Sequence, residues 1–208
     1  MNVLENYQKI INNIRSISSK VNLVVVCKNQ PMDRIKILLD QGHVHFAENR
    51  VQEAEMKWSG LNLKNIQLHL IGGLQSNKAK QAFKLFNYIH SLDSEKLAKT
   101  FSSLETTNHK KIKYFIQVNI GDELQKKGIN ISQVSDFVKY CMNDLKLNIL
   151  GLMCIPPVLK SPESYFLKLK ELNTKNNLKD LSMGMSNDFA IAIKCGSTFV
   201  RVGSSIFK

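Results

Sequence analysis

Residues 21–49, VNLVVVCKNQPMDRIKILLDQGHVHFAEN, contain one β/α/β unit. Asn22–Cys27 is a valine-rich apolar run, the composition of a strand buried on both faces. Pro31 stands where a helix begins, and Ile35, Leu38 and Leu39 repeat at the spacing of one helical face. A second β-rich run, Val44–Ala47, follows. The first run passes from five apolar residues, Leu23 to Cys27, straight to Lys28. A solvated lysine after a surfacing strand is the ordinary meaning of such an ending.

The same rhythm continues along the chain. Further β-rich runs lie at Ile66–Ile71, Tyr88–Ser91, Tyr114–Asn119, Leu147–Cys154, Leu181–Met183 and Phe199–Val202, with helical segments between them. Helix-start chemistry supports those segments: Ser76 as a cap, Ser161-Pro162-Glu163 as cap, first-turn proline and first-turn acid, and Ser186 with Asp188 before a helix that Gly196 closes. Eight strands alternating with helices argue for an α/β chain whose parallel sheet is covered by helices. The economical closed solution is a single (β/α)8 TIM barrel over residues 1–208, and an open doubly wound sheet is the competitor. Val3, Leu4, Tyr7, Ile10, Ile11, Ile14 and Ile17 mark an extra amphipathic N-terminal helix. Because the chain stops at Lys208, just after the eighth strand, that helix is expected to cover the place of a missing last helix.

Composition narrows the function classes. The 208 residues hold 43% hydrophobic residues and no apolar run of membrane-spanning length. Glu5, Asn12 and Asn13 interrupt any signal-peptide core. Cys27, Cys141, Cys154 and Cys195 form no C-x-x-C pair, so neither a zinc site nor a disulfide framework is indicated, and a reducing cytoplasm is the simplest home. The formal charge of +12 invites a nucleic-acid reading. Its positive residues are nearly all lysine and are spread evenly, whereas base readout and bidentate phosphate contacts favour clustered arginine. Nucleic acid and membrane are therefore not expected partners.

In barrels of this kind the site lies at the C-terminal ends of the strands, with phosphate often bound after strands seven and eight. There the sequence places Lys28, Glu48 and Asn49, Gly72 and Gly73, Ser91, Asn119, and the segments SMGMS (182–186) and VGSS (202–205). Glycines let backbone N–H groups approach an anion and serine hydroxyls donate, so those two segments form a plausible phosphate cradle. A lysine at such a mouth is positioned to form a Schiff base with an aldehyde, and pyridoxal 5'-phosphate needs both a lysine and a phosphate cradle. Arg201 would then face the ring nitrogen. His43 and His45 resemble half a metal site, but they stand at the wrong end of strand two, and His69 and His90 supply no ligand set of sensible spacing. His43 and His45 read as solvated or second-layer residues.

The motifs VVVCKNQP, FAENRVQEA, HLIGGLQSNKAK, FIQVNIGDELQKKGI, LSMGMSNDFAIAI and GSTFVRVGSSIF, in that order, resemble the pyridoxal 5'-phosphate homeostasis proteins, relatives of the N-terminal barrel of alanine racemase. The resemblance implies a monomeric barrel carrying pyridoxal 5'-phosphate as a reversible Schiff base on Lys28. It further implies that Asn49 contacts the cofactor region, that Ser182, Gly203 and Ser204 hold the phosphate, and that Arg201 approaches the pyridine nitrogen. Lys126 matches a further lysine near the mouth. Gly73 stands where the family often has a bulkier residue, Ser204 where threonine is usual, and the glycine-led tail after Ile206-Phe207 is absent.

Alanine racemase adds a domain that supplies an opposing tyrosine base, and this chain ends where that domain would begin. Two-sided proton transfer needs two positioned groups, and Lys28 is the one obvious candidate. The expectation is thus a carrier and buffer of the cofactor without established turnover, with pyridoxal 5'-phosphate-dependent apo-enzymes as partners. A racemase or related enzyme acting on an amino acid is the alternative.

Overall fold

The structure is a computed structural model that describes residues 2–61, 63–123, 125–157 and 161–208. Eight strands follow one another in space as in sequence: β1 (Asn22–Val26), β2 (His45–Glu48), β3 (Gln67–Leu70), β4 (Tyr88–Leu92), β5 (Lys113–Gln117), β6 (Asn148–Met153), β7 (Asp180–Ser182) and β8 (Phe199–Val202). All neighbours are parallel, and β1 pairs back to β8 with Asn22 opposite Phe199 and Val24 opposite Arg201. That last ladder closes the (β/α)8 barrel and removes the open sheet from consideration. Helices cover the outer face of the barrel and inward side chains fill its interior, so each short strand is buried on both faces.

The helices are α1 (Val3–Ile17), α2 (Met32–Asp40), α3 (Val51–Trp58), α4 (Ala79–Leu85), α5 (Glu95–Asn108), α6 (Val134–Lys139), α7 (Glu163–Lys175), α8 (Phe189–Lys194) and α9 (Ser204–Phe207). Several starts differ by a residue or more from the sequence expectation. Pro31 takes the position before α2, and Pro162 the position before α7, neither with a side-chain cap. Ser76 opens a 3-10 turn, Ser76–Lys78, instead of capping α4. Asp188, at the start of α8, turns back to accept the Met185 N–H at 2.6 Å. Gly196 follows α8 with φ +101°, the left-handed conformation of a helix-ending glycine.

Two cores result from the period of two along each strand. Outward residues such as Leu23, Val25, Phe46 and Leu68 join the helices in the larger core. Inward residues Val24, Ala47, Tyr88, Phe115, Met153 and Phe199 fill the barrel itself. The N-terminal helix lies where the sequence placed it: α1 packs on α9, α8 and α2, and Asn6 Nδ2 donates to the Ile206 carbonyl at 3.2 Å. No helix among the described residues is long and apolar enough to cross a membrane.

Candidate functional site

Lys28 occupies the corner of a β-turn at the end of β1. The Gln30 N–H donates to the Cys27 carbonyl at 3.0 Å, and Asn29 takes φ 59°. Asparagine tolerates that left-handed position better than most residues, which accounts for Asn after Lys. A charged clamp from α3 fixes the turn from below. Lys57 Nζ donates to the Cys27 carbonyl at 2.7 Å, and the Asn29 N–H donates to Glu53 Oε1 at 2.6 Å. Lys57 in turn pairs with Glu53 at 2.7 Å and with Glu48 at 3.2 Å. Glu48 sits on the outward face of β2, fully buried, and also accepts the Trp58 indole N–H at 3.1 Å. Burial pushes the Glu48 carboxyl up, despite Trp58 and Lys57. Burial alone would lower the Lys57 ammonium, but its hydrogen bonds to Glu53 and Glu48 outweigh that and raise it. The Lys28 side chain itself is exposed and lines a cavity at the barrel mouth.

That cavity holds about 870 Å³. Lys28, Asn49, Ser186, Arg201, Gly203 and Ser204 all line it. Asn49 follows β2, and the β3 end passes so close to its carbonyl that any side chain at Gly72 would collide with it. Arg201, on β8, is 3% exposed and forms the floor. Its Nη1 donates to Ser182 Oγ at 2.7 Å and its Nη2 to the Cys154 carbonyl at 2.9 Å. At the far side Gly203 admits the close approach of β1: a Cβ there would lie 2.7 Å from the Val26 carbonyl oxygen. The Ser204 and Ser186 hydroxyls meet at 3.0 Å, and the Ser205 N–H points at Ser186 Oγ at 3.4 Å.

Two expected positions are displaced. Ser182 is the last residue of β7, fully buried and outside the cavity lining; its hydroxyl is engaged by Arg201 and by His90 Nδ1 at 2.8 Å. The chain then turns at Gly184, φ +91°, and it is Ser186 that reaches the mouth beside Ser204. Lys126 is likewise drawn aside, pairing with Glu123 at 2.6 Å and donating to the Pro156 carbonyl at 3.3 Å. Its neighbour Lys127 lines the cavity, in space left open by Gly73.

The other chemical candidates are structural. Burial raises the Cys27 thiol well above its usual range and the Cys154 thiol to about 12, so both are inert. No group of three or more His, Cys, Asp or Glu could hold a metal ion among the described residues. His45, His69 and His90 lie in series inside the barrel, beneath Arg201. None of the tyrosines lines the cavity among the described residues. What sequence reasoning missed is the Glu48–Lys57–Glu53 clamp. Its signal was present: a glutamate at an outward position of a strand buried on both faces requires a partner.

Comparison with known proteins places the chain. Residues 4–208 match the family described as alanine racemase, N-terminal domain. The pyridoxal phosphate homeostasis protein of Pasteurella multocida is 35% identical over 99% of this chain and 93% of that protein. That of Aquifex aeolicus is 35% identical over 99% of this chain and 94% of its own length. The structure of PipY from Synechococcus elongatus with PLP bound superposes with TM-score 0.91 at 30% identity, covering 100% of both chains. Alanine racemase of Bartonella henselae, with covalently bound pyridoxal phosphate, shares the fold at TM-score 0.79 and 14% identity over 99% of this chain and 58% of that one.

Proposed function

The chain belongs to the pyridoxal phosphate homeostasis proteins of the alanine racemase N-terminal-domain family, and from that premise we propose that it binds pyridoxal 5'-phosphate reversibly through Lys28 and serves the cofactor's balance in the cytoplasm. Residues 1–208 act in this reading as one monomeric ligand-binding unit, and pyridoxal 5'-phosphate-dependent apo-enzymes receive its cargo. The observation that carries it is one cavity lined together by an amine (Lys28), a buried guanidinium (Arg201) and the Ser186–Ser204 hydroxyl pair. Its volume of about 870 Å³ is that of a small-molecule site.

The residues present fit the group. Ser186, Gly203 and Ser204 would hold the phosphate: two hydroxyls donate, and the bare Cα of Gly203 leaves room for the backbone to approach. The guanidinium of Arg201 has donors beyond those given to Ser182 and Cys154, and these would face the ring nitrogen. A group that only donates keeps that nitrogen unprotonated. Lys28 would meet the aldehyde, with Asn49 on the same wall. Ser182 acts through Arg201 and does not touch the phosphate. When bound, the cofactor supplies an electrophilic carbon and an electron-withdrawing ring.

A carrier fits this lining better than a racemase. Proton exchange on both faces of an α-carbon needs a second acid or base opposite the lysine. Asp188, a carboxylate on the lining, is already committed to the Met185 N–H. The test is the visible spectrum of purified protein titrated with pyridoxal 5'-phosphate, followed by borohydride reduction and peptide mass mapping. The label is expected on Lys28, with Lys28→Ala colourless. A label on Lys127 in place of Lys28 would overturn the site. Robust Lys28-dependent racemisation in a panel of D- and L-amino acids would overturn the carrier reading.

A further inference from the structure

Arg201 is a buried cation, and among the described residues no carboxylate pairs with it. Its hydrogen-bond partners are neutral, the Ser182 hydroxyl and the Cys154 carbonyl, and the Asp188 carboxylate acts on it only from beyond ion-pair distance. Below Ser182 the barrel interior holds an unbroken series of contacts. His90 Nδ1 lies 2.8 Å from Ser182 Oγ, His69 Nδ1 lies 2.8 Å from His90 Nε2, and His45 Nδ1 lies 3.0 Å from His69 Nε2. The three rings come from the inward positions of β2, β3 and β4. His45, partly exposed, ends the series at the barrel rim opposite the cavity.

We propose that His45, His69 and His90 are positioning residues for Arg201, forming a one-way hydrogen-bond chain that holds the guanidinium at the cavity floor with aligned dipoles in place of a carboxylate. The direction follows from proton counting. A guanidinium can only donate, so Ser182 Oγ accepts from Arg201. The serine proton then has one partner left, His90 Nδ1, which must be bare. A neutral His90 therefore carries its proton on Nε2 and gives it to His69 Nδ1. His69 passes on the same pattern, and His45 ends with its Nε2–H toward the rim.

Every link turns its electron-rich end upward, so Ser182 Oγ presents the summed dipole to Arg201, and hydrogen bonds in such a chain polarise one another. An imidazolium at any of the three positions would set two N–H groups against each other or strand the serine proton. The surroundings agree. Burial holds His69 and His90 well below the usual histidine range, with neighbouring histidines, Lys113 and Arg201 adding to it. The groups facing the chain are Arg201 and Cys154 above, Lys113 against Tyr88 near His45, and the Tyr7–His43 pair on the outer side of β2. None of them is a carboxylate; Asp188 acts on Arg201 and Cys154 at longer range and makes no hydrogen bond to the chain.

The inference concerns the ligand-free protein and stands apart from the identity of the ligand. Histidine-selective ¹⁵N NMR of the full-length chain at neutral pH reads which ring nitrogen is protonated. His45, His69 and His90 are all expected as neutral Nε2–H tautomers, and a proton on Nδ1 of any of them overturns the chain. Ser182→Ala removes the group that sets the direction, and mixed tautomers are expected at His90 and below it. In His69→Phe the Arg201 Nε–H resonance should shift or broaden, although residue 69 lies two links away and outside the cavity lining. A folded His69→Phe or Ser182→Ala protein with unchanged Arg201 and His90 signals refutes the coupling.

Discussion

Replacing Lys57 with methionine removes the cation that holds the Lys28 turn and leaves the fully buried Glu48 carboxylate with only the Trp58 N–H. Glu48 Oε2 has no hydrogen-bond partner among the described residues even with Lys57 present, so nothing is in reserve. Breaking a buried pair by deleting one partner costs about 3–5 kcal/mol. Because the Lys57 side chain is 15% exposed and Glu53 17%, part of the charge is screened, and the lower end, about 3 kcal/mol, is expected. For a chain of this length that corresponds to a fall in Tm of roughly 6–12 °C. Urea denaturation of wild type, Lys57→Met, Glu48→Gln and the double variant forms a complete cycle. Glu48→Gln in the Lys57→Met background neutralises the stranded carboxylate and should recover about half the loss. The clamp reasoning fails if Lys57→Met costs less than about 1 kcal/mol, or if the double variant is no more stable than Lys57→Met.

Lys28→Ala should leave stability within about 0.5 kcal/mol, since the side chain is exposed, while abolishing the coloured complex; a urea midpoint and a spectrum on one sample check both. Ser182→Ala, which leaves an Arg201 donor without its acceptor, should cost about 1–3 kcal/mol, whereas Ser186→Ala should weaken competition by inorganic phosphate with little change in stability. Equal behaviour of the two serine variants in both assays would contradict their assignment. Acid should destabilise the fold well above the carboxylate range. The buried, neutral His69 and His90 have folded pKa values below the unfolded value, so their stabilisation is complete above about pH 6.5 and is lost as pH falls from there. Between pH 7.5 and 5.5 these two groups make the fold progressively less stable, with His43, lowered to about 4, adding to the loss. A flat denaturation midpoint over that range would show that the buried imidazoles take up protons as readily as those of the unfolded chain.

The barrel was legible because eight apolar runs at regular intervals admit few arrangements, and Lys28 was legible because it ends the first of them. Ser182 and Ser186 were not separable in the same way. Both lie in SMGMS, and which one reaches the mouth depends on the strand stopping at Ser182 and on Gly184 adopting φ +91°. No periodicity reports a single turn. Lys126 and Lys127 present the same problem: adjacent lysines point to different places once Glu123 captures one of them. The sequence set the histidines aside as metal ligands, reading His43 and His45 as solvated or second-layer, but their chain needs the register of three neighbouring strands, such as Ala47 opposite His69 and His69 opposite Tyr88. That register is set by tertiary packing and leaves no local trace.

The β1–β8 ladder and the Asn6–Ile206 hydrogen bond join residues up to 200 positions apart in the chain. Contacts of such long range form late and slow the folding of a protein that depends on them. During synthesis, β1 waits with one edge unpaired until β8 has left the ribosome, and an unpaired edge invites association with other chains. The cavity shares that schedule, because Lys28 comes from the first strand and Arg201, Gly203 and Ser204 from the last. A molecule that needs both walls can therefore recognise only a chain that has finished folding, and its binding marks the closed barrel from every earlier intermediate.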